Sequence, residues 1–267
     1  MLGVFDSGFG GLHVLGSITT HLPQYGYIYL GDSARSPYGP RSFDEVYTFT
    51  KQGVEFLFAH GAQLVVLACN TASSEALREI QQGYLAEGSD KKVLGVLIPF
   101  AEAAAKHTKN KRVGVLATEG TVRSKSFVME ITKADPEITV FQQACPLLVP
   151  LVEAGQQDTE AADKLIAEYL APVLTKDIDT LVLGCTHYGI LEEKIRAVVG
   201  ENIAIISERD VVPKSLADYL QRHPDIETRI KKHVPSQFFS TGDITRFGKL
   251  GSVFFGSPIH AEQATLV

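Results

Sequence analysis

The sequence predicts an α/β protein of two similar α/β domains with mostly parallel sheets, related by a pseudo-twofold axis, with its site in the cleft between them. Three observations carry that prediction. Short apolar, β-branched runs alternate with longer stretches of helical spacing, the pattern of βα units around a parallel sheet. Several of these runs, such as Leu64-Val65-Val66-Leu67 and Leu181-Val182-Leu183, are apolar at consecutive positions, as strands covered by helices on both faces require. The chain also repeats itself. Gly3-Val4-Phe5-Asp6-Ser7-Gly8 resembles Gly114-Val115-Leu116-Ala117-Thr118-Glu119-Gly120, and Val65-Val66-Leu67-Ala68-Cys69-Asn70-Thr71 resembles Leu181-Val182-Leu183-Gly184-Cys185-Thr186-His187.

The predicted strands are Gly3–Phe5, Tyr27–Leu30, Leu64–Ala68, Val93–Leu97, Val113–Ala117, Ile138–Phe141, Leu181–Leu183 and Ile203–Ile206. After the third, Ala72, Ala76, Leu77, Ile80 and Tyr84 share one helical face. After the seventh, Leu191, Ile195 and Val198 do so. The spacing from Gly3 to Cys69 is close to that from Gly114 to Cys185, so two halves of about 100 residues are expected, near the usual domain size. The boundary is placed at Ile98-Pro99. Residues 1–97 plus 207–267 form the first domain and 98–206 the second, the tail returning to complete the first.

Composition narrows the function. At 267 residues with 45% hydrophobic content, the chain has apolar material for a core without disulfides or metal. The net charge of −6 and the lack of a basic run argue against nucleic acid as a partner. No apolar run approaches a membrane span, and no secretory signal opens the chain, so a cytoplasmic location is expected. Three widely separated cysteines read as thiols in a reducing compartment.

Two of these thiols carry the chemistry. Cys69 and Cys185 each stand where an apolar strand stops and a helix begins. In open parallel sheets ligands bind beyond the carboxyl ends of the strands. A helix start there offers free N–H groups and partial positive charge, which favour a thiolate or a bound carboxylate. Small polar residues follow: Asn70, Thr71 and Ser73 in one half, Thr186 in the other. Two thiols facing each other across a cleft suit the inversion of a tetrahedral carbon, which needs a base on one face and an acid on the other. With an ordinary pKa of roughly 8.5, a thiol serves in either role after modest tuning.

The chain resembles the glutamate racemases of the aspartate/glutamate racemase superfamily in six segments spread over most of its length. They are Gly3 to Leu12 (GVFDSGFGGL), Gly31 to Gly39 (GDSARSPYG), Ala68 to Ala72 (ACNTA), Gly114 to Thr118 (GVLAT), Cys145 to Glu153 (CPLLVPLVE) and Gly184 to Tyr188 (GCTHY). The resemblance implies racemisation of L-glutamate to D-glutamate for peptidoglycan synthesis, without pyridoxal phosphate, other cofactor or metal. It places substrate contacts at Asp6, Ser7, Tyr38, Gly39, Asn70, Thr71, Thr186 and His187. It makes Cys69 the base for D-glutamate and Cys185 the base for L-glutamate, with Asp6, Asp32, Glu153 and His187 tuning the thiols. It implies glutamate as the small-molecule partner; no membrane partner is expected, and the assembly expected is a homodimer.

Two departures stand out. Gly189 occupies a place where the family usually has proline, which is expected to loosen the first helical turn after Cys185. The segment Ile206-Ser207-Glu208-Arg209 lacks the family's aspartate-serine pair, with consequences expected at the domain junction. Cys145 reads as a small buried hydrophobe. Gly8, Gly10 and Gly11 do not complete a dinucleotide fingerprint and read as sites of close backbone approach to a substrate. The seven histidines other than His187 show no metal-ligand spacing and read as solvated or structural. Three rival readings remain: an isomerase of the same superfamily acting on aspartate or another acidic substrate, a cysteine hydrolase using Cys185 with His187, and a module that binds and inhibits another protein.

Overall fold

The structure is a computed structural model that describes residues 1–85 and 89–266. Among the described residues ten strands form two sheets. They are β1 (Leu2–Asp6), β2 (Tyr27–Gly31), β3 (Leu64–Leu67), β4 (Lys92–Gly95), β5 (Arg112–Ala117), β6 (Thr139–Ala144), β7 (Thr180–Gly184), β8 (Ala204–Ile206), β9 (Gln237–Ser240) and β10 (Ala261–Gln263). The first sheet runs β10-β9-β2-β1-β3-β4 and the second β6-β5-β7-β8. Every pairing within the sheets is parallel. Gly3 lies opposite Val65 in the first sheet, and Gly114 lies opposite Leu181 in the second.

The repeat in the sequence is therefore a repeat of topology. Taken in chain order, each half lays its first four strands as 2-1-3-4. The tail adds β9 and β10 to the free edge of β2, so the chain does return to the first sheet. The central strands β1, β2, β3 and β7 are buried at every position, whereas β4 and β6, at sheet edges, are partly exposed. Central strands carry helices on both faces, which is why their sequences read as unbroken apolar runs.

Local chemistry fixes the helices between them. Phe43–Ala59 begins with a capping box: the Ser42 hydroxyl accepts from the Glu45 amide, and the Glu45 carboxylate accepts from the Ser42 amide. Glu160–Leu174 is capped by Thr159. The helix Glu208–Arg222 leaves the second sheet after β8 and packs against Gly11–His21 of the first half and against Leu97–His107. No helix among the described residues is long and apolar enough to cross a membrane.

Several sequence expectations shift. The fourth strand ends at Gly95, because Leu97 opens the helix Leu97–His107. Pro99 sits in that helix's first turn, where a missing N–H costs nothing, so the expected boundary at Ile98-Pro99 falls at the start of a helix and not in a loop. The sixth strand starts one residue later than expected and extends to Ala144. The expected single helix after β3 is three pieces, Asn70–Glu75, Leu77–Glu79 and a wider turn at Ile80–Tyr84, although Ala72, Ala76 and Ile80 are buried as the spacing demands. After β7, Leu191 and Ile195 are buried but Val198 faces outward. Tyr188–Leu191 is a 3-10 turn, and the α-helix that carries Ile195 and Val198 starts only at Glu192, Val198 standing at its penultimate position.

Candidate active site

β3 and β7 are the equivalent third strands of the two halves, and both thiols follow them directly. Cys69 is itself the N-cap of Asn70–Glu75, its sulfur accepting from the Ala72 amide at 3.5 Å. Its thiol donates to the Ser7 hydroxyl at 3.4 Å, and Ser7 follows β1. Cys185 follows β7, and its sulfur lies 3.9 Å from His187 Nδ1. His187 Nε2 meets Glu153 Oε1 at 3.1 Å. Thr186 donates to Asp6 Oδ1 at 3.3 Å, a bond from the second half to the first.

One cavity joins these groups. It is lined by Ser7, Tyr38, Gly39, Cys69, Asn70 and Thr71 of the first half and by Cys185, Thr186 and His187 of the second, together with Pro37, Thr118 and Val149. Nine of the twelve lining positions are residues singled out from the sequence. The volume is about 20 Å³, room for roughly one water. A cavity of this size does not hold a dicarboxylate. Larger hollows lie elsewhere on the surface, but they hold neither thiol.

Asp6, Asp32 and Glu153 stand behind this lining. Asp6 is fully buried; its Oδ2 accepts from the Gly8 amide at 2.9 Å. Asp32 is also fully buried and binds the Tyr38 hydroxyl, Arg35 Nε at 2.7 Å and Thr241 at 2.7 Å. Both of its oxygens are thus engaged, and it reaches the cavity only through Tyr38. Asp32 was expected to tune the thiols; in the structure its contact with the cavity lining is its bond to the Tyr38 hydroxyl. Glu153 meets the cavity lining at His187.

Electrostatics corrects a second expectation. Helix starts were expected to favour thiolates, but burial outweighs them. Burial, reinforced by the nearby Asp6 carboxyl, pushes the Cys69 thiol up to about 12 despite its hydrogen bonding with Ser7 and the bond from the Ala72 amide. Burial also drives Cys185 well above its ordinary value; the His187 amide pulls it back, while Glu208, Cys69 and Asp6 add to the rise. Asp6 is raised by burial, opposed by His187, the Gly8 and Gly11 amides and Thr186. Burial thus favours the neutral thiol form of both sulfurs.

The glycines after β1 do permit a close approach, but to protein. A Cβ on Gly10 would fall 2.2 Å from Thr186 Oγ1 and 2.7 Å from His187 Nδ1, so the helix Gly11–His21 starts hard against the Cys185 loop. Gly189 is a similar case. A Cβ there would lie 2.9 Å from His13 Cδ2 and 3.0 Å from His13 Nε2. His13 is largely buried, and burial and the nearby Arg209 lower its pKa. The glycine does not simply loosen the turn; it makes room for a neutral imidazole.

Thr118, Val149 and Pro37 were missed in the sequence. Thr118 had a signal, because it is the counterpart of Ser7 in the internal repeat. Its hydroxyl lies 2.9 Å from that of Thr71 across the cleft. Val149 and Pro37 carried no chemical mark. Glu208 was noticed only as a departure at the junction, yet it is buried and bonded to Asn70. Among the described residues no group of three His, Cys, Asp or Glu side chains is placed to hold a metal ion.

Comparison with known proteins agrees with this geometry. Residues 13–211 match the family model described as Asp/Glu/Hydantoin racemase. The chain is 38% identical over 268 residues to the glutamate racemase of Exiguobacterium sibiricum, covering 99% of this chain and 96% of the relative. Among solved structures, a glutamate racemase of Bacillus anthracis superposes with a TM-score of 0.93 at 36% identity, covering 100% of this chain and 97% of that one. The glutamate racemase of Francisella tularensis, solved in complex with D-glutamate, gives 0.89 at 30% identity, with coverage of 99% and 97%.

Proposed function

The chain belongs to the Asp/Glu/Hydantoin racemase family and, within it, to the glutamate racemases, and from that membership we propose that it interconverts L- and D-glutamate with two thiols and no cofactor. One observation carries the reading. Two cysteines that end topologically equivalent strands of two sheets line a single cavity, together with hydroxyl and amide groups suited to carboxylates.

The reaction follows from the geometry. Glutamate enters as the halves part, and closure excludes water around it. Its α-ammonium brings a positive charge to two buried sulfurs, which offsets part of the burial that keeps them protonated. Cys185 gives its proton toward His187, which Glu153 orients, and the thiolate then takes the α-proton of L-glutamate. Cys69 delivers its own proton to the opposite face of the carbanion, giving D-glutamate. The reverse reaction uses Cys69 as base, with Asp6 and Ser7 beside it. Ser7, Asn70, Thr71, Thr118 and Thr186 receive the carboxylates and the developing negative charge, with Tyr38 and Gly39 completing the wall.

On this reading D-glutamate supplies peptidoglycan synthesis, and we infer an enzyme that works in the cytoplasm as a homodimer, which light scattering tests. The domains divide as 1–97 plus 207–267 and 98–206, each built on one sheet.

The test has two parts. Chirally resolved assay of L-glutamate with the dialysed protein should show D-glutamate accumulating, unaffected by chelator. Racemisation of aspartate at an equal rate would favour the broader isomerase reading. Because the equilibrium constant is one, kcat/KM must be equal in the two directions, so the thiols are told apart with an analogue that eliminates a β leaving group after proton loss. The Cys69→Ser protein should eliminate from the L form and the Cys185→Ser protein from the D form. Equal loss from both forms in both proteins would refute one thiol per face.

A further inference from the structure

Glu208 begins the helix Glu208–Arg222, at the point where the chain leaves the second sheet for the first half. It is 1% exposed, which is rare for glutamate. No ion pair reaches it among the described residues. Its Oε1 accepts a hydrogen bond from Asn70 Nδ2, and Asn70 lines the cavity directly after Cys69. Two buried atoms are then left over: Glu208 Oε2 and Asn70 Oδ1, neither of which meets a polar partner among the described residues. They belong to the same carboxyl and the same amide that already touch.

The chemistry of the pair decides its state. An ionised carboxylate has only acceptors and would leave Oε2 and Oδ1 as two buried acceptors facing no donor. A neutral carboxyl has one O–H donor, so protonation replaces two buried acceptors that lack a donor with one donor and one acceptor on the same contacting pair. Burial without a cation, with Asp6 nearby, favours the neutral form as well. Burial drives Glu208 well above the carboxylate range, the Asn70 bond opposing and the Asp6 carboxyl adding to it.

Resting on the glutamate racemase reading above, we propose that Glu208 is a positioning residue for this reaction: as a neutral acid it holds the Asn70 side-chain amide in the cavity wall beside Cys69. The pair also ties the first turn of Glu208–Arg222 to the first turn of Asn70–Glu75, so Asn70 is set in place by the element that links the two halves. Glu208 touches no reacting atom; it acts on substrate through Asn70.

Three substitutions and one spectroscopic signal test this. Glu208→Ala leaves Asn70 unheld, so KM for both enantiomers should rise about tenfold, the scale of one buried hydrogen bond, with a smaller change in kcat. Glu208→Gln offers Asn70 Nδ2 the same acceptor and Asn70 Oδ1 an N–H donor, and should restore most of that loss. In an Asn70→Ala background, Glu208→Ala should add less than twofold. The Asn70 side-chain amide protons should exchange slowly in the parent and in Glu208→Gln and quickly in Glu208→Ala, by amide-resolved NMR without substrate. That readout stands even if glutamate is not turned over, and absence of racemisation in the parent would instead count against the functional reading. If Glu208→Gln loses as much as Glu208→Ala, the group acts as a charge and the proposal falls. It falls equally if Asn70 exchange is unchanged in Glu208→Ala.

Discussion

At the scale of single residues, burial sets the protonation of this molecule's thiols. Cys69, Cys145 and Cys185 are all buried, and burial raises each of them, Cys145 to about 12. Cys145 is outside the cavity and makes the cleanest test. In the unfolded chain its thiol ionises near its ordinary value of roughly 8.5. Between that pH and about 12 the folded state keeps a proton that the unfolded state loses. Its contribution is therefore fully present below about pH 8.5 and is lost as pH rises through that window, by up to about 1.4 kcal/mol per pH unit. Urea unfolding at pH 8, 9 and 10 should show a shallower fall in stability for Cys145→Ala than for the parent. His187 gives a second test at this scale. Its Nδ1 is the nitrogen nearest Cys185, so His187→Asn should cut elimination from the L form of the β-leaving-group analogue by about a hundredfold, the scale of lost proton transfer. Elimination from the D form should fall far less. Equal loss from both enantiomers would separate His187 from Cys185.

At the scale of elements, the position of a helix is decided by what its neighbour lacks. The turn Tyr188–Leu191 and the helix Gly11–His21 meet at Gly189 and His13, where the absent Cβ is the space the imidazole fills. Gly189→Ala should cost about 1 kcal/mol of unfolding free energy, typical of overpacking by one methyl. In a His13→Ala background the same substitution should cost clearly less, because the ring it strikes is gone. Thermal unfolding of the four proteins of that cycle measures the coupling; strictly additive effects would mean the two sites do not press on each other. The elements also show where sequence reading stopped short. The strands at the sheet centres stood out because burial on both faces leaves only apolar residues. β9 and β10 did not, being short segments added at an edge. The broken helix after β3 was read as continuous because its buried residues keep a helical spacing even where the hydrogen-bonding pattern changes.

At the scale of the whole molecule, the closed cleft is held by bonds between the halves. Arg123 donates to Arg41 O at 2.8 Å and to Glu75 at 2.9 Å, Ser126 donates to Ser74 O at 2.9 Å, and the Thr71 and Thr118 hydroxyls meet at 2.9 Å. The cavity of about 20 Å³ is too small for glutamate, and a parting of the halves to admit it would break these contacts. Arg123→Ala removes two of them from the rim without touching the cavity lining. Amide hydrogen exchange over residues 70–75 and 119–124 should become several-fold faster, an opening of part of the molecule with no change in its global fold. Unchanged exchange would show that the rim bonds do not govern opening.

The sequence by itself determined the parallel α/β architecture, the twofold repetition and the two thiols. Those features are local or periodic: strand burial is written in consecutive residues, and Cys69 and Cys185 stand at matching points of two similar stretches. It also carried, through the internal repeat, an unread pointer from Ser7 to Thr118. Only the tertiary structure decided the rest, because it depends on groups far apart in the chain. Asp32 turns its carboxyl to Arg35, Tyr38 and Thr241, so it braces the wall and does not line it. Glu208 meets Asn70 across 138 residues of sequence. The ionisation of the sulfurs, which helix starts alone would have lowered, was settled by desolvation in a closed cleft, and desolvation belongs to the packed molecule and to no single segment.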